Sequence, residues 1–139
     1  MPRFELEAQG KQLVKNEDFN GYRCLFFFFD NYQEQFQIAE ELFARLPDYD
    51  ELNVMLIGIN PRICSNLQAN LLKKHLFFPV LIDTKQEFCV QCGVMDEKKQ
   101  LIPTLFLVNE EGTLCWKEQP IEKKGIGERA LQNILRLFG

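Results

Sequence analysis

The side chains best suited to chemistry in this chain are two cysteines, Cys89 and Cys92, which stand three positions apart. Such a pair is a redox signature when it begins a helix after a strand, because the two thiols can then approach closely enough for a disulfide. The sequence predicts instead that the helix begins at Asp83 and ends near Gly93. Both thiols then lie toward the negative end of the helix dipole, which raises their pKa. This position favours a structural role for the two cysteines, as side chains packed in the core, and leaves thiol–disulfide exchange as the alternative.

The other candidate ligands and nucleophiles show no second paired spacing. Cys24 and Cys115 fall in predicted strands, where a cysteine packs as a small apolar residue. Cys64 follows a predicted strand, at the edge where α/β sheets bind ligands, so a reactive thiol is the alternative to a plain loop residue. His75 is expected at the surface. A structural zinc at Cys89 and Cys92 would need two more ligands, so we expect no metal, and nothing indicates a cofactor.

Composition predicts one domain over residues 1–139. The chain is 46% hydrophobic and 26% charged, which is typical of a globular protein rather than a disordered one. Its net charge of −4 gives no driving force for binding nucleic acid or an anionic membrane. No apolar run is long enough to cross a bilayer, and the first residues do not form a leader. Five cysteines, an odd number, favour a reducing compartment. We therefore expect a cytoplasmic protein.

Apolar patterning predicts an α/β order of elements that would position these residues. Residues 24–29 and 53–59 are apolar without alternation, as in parallel strands buried on both faces. In chain order we predict a hairpin over 4–14, strands over 24–29, 53–59 and 79–82, helices over 32–46, 67–76 and 83–93, a second hairpin over 103–116 and a last helix over 127–138. The predicted fold is a three-layer sandwich with a central mixed sheet flanked by helices and an N-terminal β-hairpin.

Local signals refine two of these elements. Asp30 and Asn31 are expected to cap the first helix, with Gln33 or Glu34 completing a capping box, and Pro47 to end it. Pro103 can open a strand without losing a needed hydrogen-bond donor, and the turn over 109–112 returns the chain as a second strand. This strand, entered through Pro103 and Thr104, resembles the proline-headed hairpin of thioredoxin-fold proteins. The resemblance implies a cis bond before Pro103, beside a reactive cysteine.

The chain as a whole resembles the peroxiredoxins, the alkyl hydroperoxide reductase/thiol-specific antioxidant group, and particularly their bacterioferritin-comigratory type. The segments that carry the resemblance, in order, are residues 4–21, 24–29, 56–60 and 78–83, followed by Gly93 and Val94. The resemblance implies a thioredoxin-like fold and a thiolate that attacks peroxide. It places that cysteine at the start of the helix after the strand 24–29, behind a proline and a threonine or serine, with an arginine nearby that lowers its pKa.

The catalytic motif of the peroxiredoxins is missing here. Residues 30–38 contain no proline, threonine, serine or cysteine, and Gln100 stands where the resemblance implies an arginine. We therefore expect a protein that has lost the peroxidatic centre and now binds a partner or assembles, as a monomer or homodimer. In that case Asp30, Asn31, Pro103 and Thr104 line the former cleft.

Two alternatives remain open. The first is a thiol–disulfide oxidoreductase that uses Cys89 and Cys92 near Pro103. The second is a subunit of a larger redox complex that borrows a cysteine from a protein partner.

Overall fold

A computed structural model describes residues 1–8, 12–62 and 66–139. The strands are β1 (Glu5–Ala8), β2 (Leu13–Lys15), β3 (Arg23–Phe28), β4 (Val54–Asn60), β5 (Val80–Ile82), β6 (Thr104–Val108) and β7 (Leu114–Glu118). The helices are α1 (Gln33–Ala44), α2 (Leu46–Glu51), α3 (Leu67–Lys73), α4 (Glu87–Gln91) and α5 (Ile126–Phe138), with a short 3-10 helix at Asn16–Phe19. None of the helices in these ranges is both long and apolar enough to span a bilayer.

The strands form one mixed sheet in the order β2-β1-β5-β4-β3-β6-β7. β3 pairs in parallel with β4, and β4 in parallel with β5. β6 pairs with β3 and β7 with β6 in the antiparallel sense, and β1 joins β5 and β2 in the same way. The predicted mixed sheet, N-terminal strand pair and second hairpin are confirmed. The turn residue Gly10 of the predicted first hairpin lies outside the described residues.

The unbroken apolar run of β3 fills both faces of the sheet. Leu25, Phe27 and Phe29 belong to one core with side chains of α1, α2, α3 and α5. Cys24, Phe26 and Phe28 belong to a second core with α4 and the N-terminal segment. Each of these six side chains is at most 1% exposed, as the absence of alternation predicts for a central strand. Helices therefore cover both faces of the sheet, in three layers.

Four predicted helix boundaries are wrong, each for a local reason. The helix predicted over 67–76 ends at Lys73, because His75 adopts a left-handed conformation with φ of 55°. The N-cap of α1 is Tyr32, with no side-chain cap, because the Asp30 carboxylate bonds elsewhere. Pro47 does not simply end α1, which stops at Ala44, but stands in the first turn of α2, where its missing N–H costs nothing. α4 begins at Glu87 rather than Asp83, because Gln86 adopts a left-handed conformation with φ of 61°.

The packing of α1 against α5 depends on one glycine. A Cβ added to Gly127 would lie 2.5 Å from the carbonyl oxygen of Glu41, so the two helix backbones approach too closely for any side chain there. The fully buried Tyr49 donates a hydrogen bond of 2.8 Å from its hydroxyl to the Gly127 carbonyl. Three helices therefore meet at this position.

We predict that Gly127→Ala destabilises the protein by roughly 2 kcal/mol or more. Helix propensity alone would favour alanine by about 1 kcal/mol, but the clash with a backbone atom cannot be relieved by a side-chain rotation. Urea unfolding measures the change, and Gln132→Ala on the exposed side of α5 is the matched control, expected to change stability by less than about 0.5 kcal/mol. A Gly127→Ala variant as stable as the wild type would contradict this account of the helix crossing.

Candidate functional site

Three parallel strands end at one edge of the sheet, and a buried polar residue stands at each end. Asp30 lies just beyond β3, Asn60 ends β4, and Asp83 follows β5. Their exposed fractions are 3%, 0% and 3%. The carboxyl edge of parallel strands is where open α/β sheets place their ligand sites. We therefore define these three residues, with Asn31, Gln35 and Arg62, as the edge cluster.

Asp30 forms an ion pair with Arg62. Its Oδ2 accepts a hydrogen bond of 2.7 Å from Nη2 of Arg62, and its Oδ1 accepts one of 2.8 Å from the Asn31 amide. The side-chain amide oxygen of Gln35 accepts the backbone N–H of Asp30. The Asp30 side chain is 4% exposed and that of Arg62 is 46% exposed. The carboxylate is thus buried, and its charge is compensated from the solvent side.

Asn60 ties the ends of β3 and β4 together. Its Nδ2 donates to the Phe29 carbonyl at 3.0 Å and to Oδ1 of Asn31 at 3.5 Å, and its Oδ1 accepts from the Arg62 amide at 3.3 Å. Among the described residues, every buried side-chain nitrogen and oxygen has a hydrogen-bond partner. The edge cluster is therefore internally satisfied, which is the arrangement expected of a polar network that fixes structure.

Pro103 and Thr104 lie at the same end of the sheet as Asp30. Thr104 pairs with Phe28 across β6 and β3, and its buried hydroxyl donates to the Ile102 carbonyl at 2.7 Å. The carbonyl of Pro103 accepts the Ile121 amide at 2.9 Å. The bond before Pro103 is trans, contrary to what the resemblance implied, and the described part of the chain has its cis peptide bond at Gln119–Pro120.

Cys89 lies in the second core rather than in an open cleft. It is fully buried, and its backbone N–H donates to Oδ2 of Asp83 at 2.8 Å. Burial first, and then the negative charge of Asp83, raises the pKa of its thiol far above the ordinary value. Two successive backbone hydrogen bonds, from Val94 to Cys89 and from Ile102 to Val94, connect it to the segment that holds Pro103. The pair is therefore near Pro103, but Cys89 does not face solvent.

Two other thiols, those of Cys92 and Cys24, are also poorly placed for attack. Cys92 is half-buried, and burial raises the pKa of its thiol to about 12. Burial likewise raises the pKa of Cys24, which is 1% exposed, to about 12. Cys115 is half-buried on β7. Cys64, the candidate loop thiol, lies outside the described residues. A thiol held neutral at physiological pH is a weak nucleophile.

The pKa of both paired thiols is raised, as the sequence predicted, although the leading cause is burial and not the helix dipole. No group of three His, Cys, Asp or Glu side chains within 1–8, 12–62 and 66–139 is arranged to hold a metal ion. Sequence reasoning missed four residues of the edge cluster, Gln35, Asn60, Asp83 and Arg62, of which Arg62 is the one that pairs with the Asp30 carboxylate. The available signal was that it follows the strand beside Asp30, so that both residues reach the same sheet edge.

We predict that the two partners of the ion pair contribute unequally to stability. Arg62→Gln leaves a buried carboxylate without its cation and should cost about 1–3 kcal/mol. Asp30→Asn keeps an acceptor for the Asn31 amide and returns the half-exposed guanidinium to water, so it should cost less than about 1 kcal/mol.

Urea unfolding at neutral pH tests this order. Arg45→Gln is the matched control, because Arg45 pairs with Glu128 at 2.6 Å where both side chains are more than 40% exposed. A larger loss of unfolding free energy for Asp30→Asn than for Arg62→Gln would contradict this account, because it would show that an unpaired Asp30 carboxylate is not the costly state.

The comparisons with known proteins agree on one family. The model of the AhpC/TSA family matches residues 1–117. A putative peroxiredoxin bcp of Haemophilus influenzae is 30% identical over 122 residues, which cover 81% of this chain and 79% of that protein.

Solved structures show the same fold at low sequence identity. Peroxiredoxin Q of Xanthomonas campestris superimposes with a TM-score of 0.88 at 16% identity, covering 98% of this chain and 92% of that one. Peroxidoxin BcpB of Mycobacterium tuberculosis gives 0.87 at 14% identity, covering 100% and 96%. The sheet order, the family match and these relatives together show that the chain belongs to the AhpC/TSA family and has a peroxiredoxin-like thioredoxin fold.

Proposed function

We propose that this protein has no peroxidase activity and acts through binding or assembly. The observation that carries the proposal is the content of the segment after β3. Residues 29–38 contain no cysteine, and the buried Asp30 carboxylate is paired with Arg62 just before the helix start at which the resemblance places a reactive thiolate.

The chemistry of the edge cluster supports this proposal. Peroxide reduction by the thiol route needs a sulfur that can be ionised at neutral pH and reached by the peroxide oxygen. A carboxylate oxygen cannot be oxidised in this way. Arg62 is bound to Asp30, so its charge is already compensated and cannot stabilise a thiolate or a leaving alkoxide as a free guanidinium would. The edge cluster lies where α/β sheets bind ligands, but its side chains are hydrogen-bonded to one another and none of them is a nucleophilic thiol.

The exposed residues around the edge cluster support a binding role. Tyr32 is 57% exposed at the start of α1, and the Arg62 side chain is 46% exposed. Tyrosine and arginine are enriched where proteins contact partners. We propose that residues 1–139 act as one domain in the reducing cytoplasm, as a monomer or homodimer that contacts a protein partner and neither nucleic acid nor a membrane. The exposed Tyr32 and Arg62 leave the edge accessible to such a partner, including a redox complex that supplies its own cysteine.

A peroxidase assay tests the loss of activity. We predict that the purified protein with hydrogen peroxide or an organic hydroperoxide and a dithiol donor gives no consumption above the buffer rate. An active peroxiredoxin is the positive control, and a variant with all five cysteines replaced by serine defines the background. Turnover that one Cys→Ser change abolishes would refute the proposal and identify the nucleophile, including Cys64.

Thiol–disulfide exchange by Cys89 and Cys92 is the second candidate function. One observation favours it: the backbone hydrogen bonds from Val94 to Cys89 and from Ile102 to Val94 connect Cys89 to the segment that holds Pro103. Both cysteines are free thiols. The reaction also requires α4 to open, because Cys89 is fully buried.

Alkylation against pH decides this second candidate. Because burial raises both thiol pKa values, the thiols stay protonated as pH rises through the ordinary thiol range, and we predict negligible iodoacetamide labelling of Cys89 and Cys92 below about pH 8 in the folded protein. Peptide mass spectrometry reads each site, and the urea-unfolded chain is the control in which both must react. Rapid labelling of either thiol at neutral pH in the folded protein would instead support a redox role.

A further inference from the structure

Asn20 and Gly21 form the sequence's one asparagine–glycine step. This dipeptide is prone to an intramolecular reaction, because glycine has no side chain to hinder its backbone nitrogen. That nitrogen can attack the side-chain carbonyl carbon of the preceding asparagine and close a five-membered ring. Both residues are exposed, so solvent reaches the step.

The backbone at this step is a type II turn. Asn20 has φ of −58° and ψ of 131°, Gly21 has φ of 86°, and the Tyr22 amide donates to the Phe19 carbonyl at 3.0 Å. These are the dihedral angles and the closing bond of that turn type, with glycine at the position that needs positive φ. Ring closure needs the Asn20 side chain and the Gly21 nitrogen on the same side of the Asn20 Cα–C bond. The extended ψ holds them apart, so the peptide must rotate and break the turn before it can react.

A second contact holds the attacking nitrogen itself. The Gly21 N–H donates a hydrogen bond of 2.9 Å to the carbonyl of Glu110, in the turn between β6 and β7. Glu110 is in turn fixed by Arg23, whose Nε lies 2.6 Å from Oε1. Arg23 also donates to the Leu52 carbonyl at 3.0 Å, and its guanidinium carbon lies 4.4 Å from the centre of the Phe138 ring. The Gly21 nitrogen, which must act as the nucleophile, is therefore held in a hydrogen bond to Glu110, and Glu110 is itself fixed by its ion pair with Arg23.

We propose that Asn20 is a deamidation site that the native fold silences and that local opening of this turn activates. In the open state the Gly21 nitrogen forms a bond to Cγ of Asn20, the side-chain nitrogen leaves as ammonia with the amide proton, and a succinimide results. Water then opens the ring at either carbonyl to give aspartate or isoaspartate at position 20. The net change replaces a neutral amide by a carboxylate and consumes one water, with no oxidant or cofactor.

The product would not restore the closed turn. The new carboxylate stands close in sequence to Glu17 and Asp18, and the turn it occupies contacts Glu110, so like charges accumulate there. Isoaspartate also inserts an extra backbone atom into the turn, so neither of its two hydrogen bonds can re-form in place. Because the ammonia is lost to solvent, conversion at position 20 is not reversed. The converted fraction therefore increases with the time that this turn has spent open.

The experiment compares the full chain in native buffer with the same chain in urea, both in mildly alkaline solution. Peptide mapping by mass spectrometry quantifies aspartate and isoaspartate at position 20 over time. We expect conversion at least about tenfold slower in the native protein, which corresponds to about 1.4 kcal/mol of opening free energy. Equal rates in the two conditions would overturn the proposal, and Asn20→Gln sets the background for the assay.

A matched pair of variants tests which contact silences the site. Glu110→Gln weakens the ion pair to Arg23, whereas Glu111→Gln changes the neighbouring exposed side chain and leaves that pair intact. We expect native-state conversion several-fold faster for Glu110→Gln and unchanged for Glu111→Gln, with all three chains converting at one rate in urea. Equal native rates for the two variants would overturn the role given to the Gly21–Glu110 contact. Circular dichroism checks that both variants are folded.

Discussion

The structure depends on the burial of β3 at the centre of the sheet. Five successive side chains from Leu25 to Phe29 are at most 1% exposed, which requires a covered surface on both faces and a paired strand on both sides. β4 and β6 supply the pairing, and the two cores supply the cover. The end of β3 is consequently fixed in space, and Asp30 must lie at the carboxyl edge whatever chemistry occupies it.

This constraint explains how the sheet can form whatever side chains stand at its carboxyl edge. The residues that hold the sheet together are apolar and belong to the strands, whereas the edge cluster lies beyond their ends. Asp30, Asn60 and Arg62 are joined by hydrogen bonds, and no buried side-chain nitrogen or oxygen of the described residues at this edge lacks a partner. A closed polar network at this edge is compatible with the fold, because folding requires only that buried polar groups be paired.

The sequence predicted the elements that continuous apolar runs determine. It missed the features that depend on contacts between residues distant in the chain. The two-sided strands, the mixed sheet and both hairpins follow from apolar runs, from Pro103 at the head of its strand and from turn residues such as Gly112. The boundaries at Tyr32 and Glu87 could not be predicted, because Asp30 bonds to Arg62 instead of capping and because Gln86 adopts a left-handed conformation that no local signal marks. Within the candidate site, the edge positions of Asp30 and Arg62 were predictable from their strands, but the sequence does not show that the two side chains form an ion pair.

The two faces of the sheet are covered unequally, and this asymmetry has a dynamic consequence. One face carries four helices, including the twelve-residue α1 and the thirteen-residue α5, while α4 on the other face has five residues and enters through a left-handed Gln86. So short a helix depends on its tertiary contacts for order. The amide protons of α4 should therefore exchange with solvent earlier than those of α5, and native-state fluctuation begins on the thinner side of the molecule.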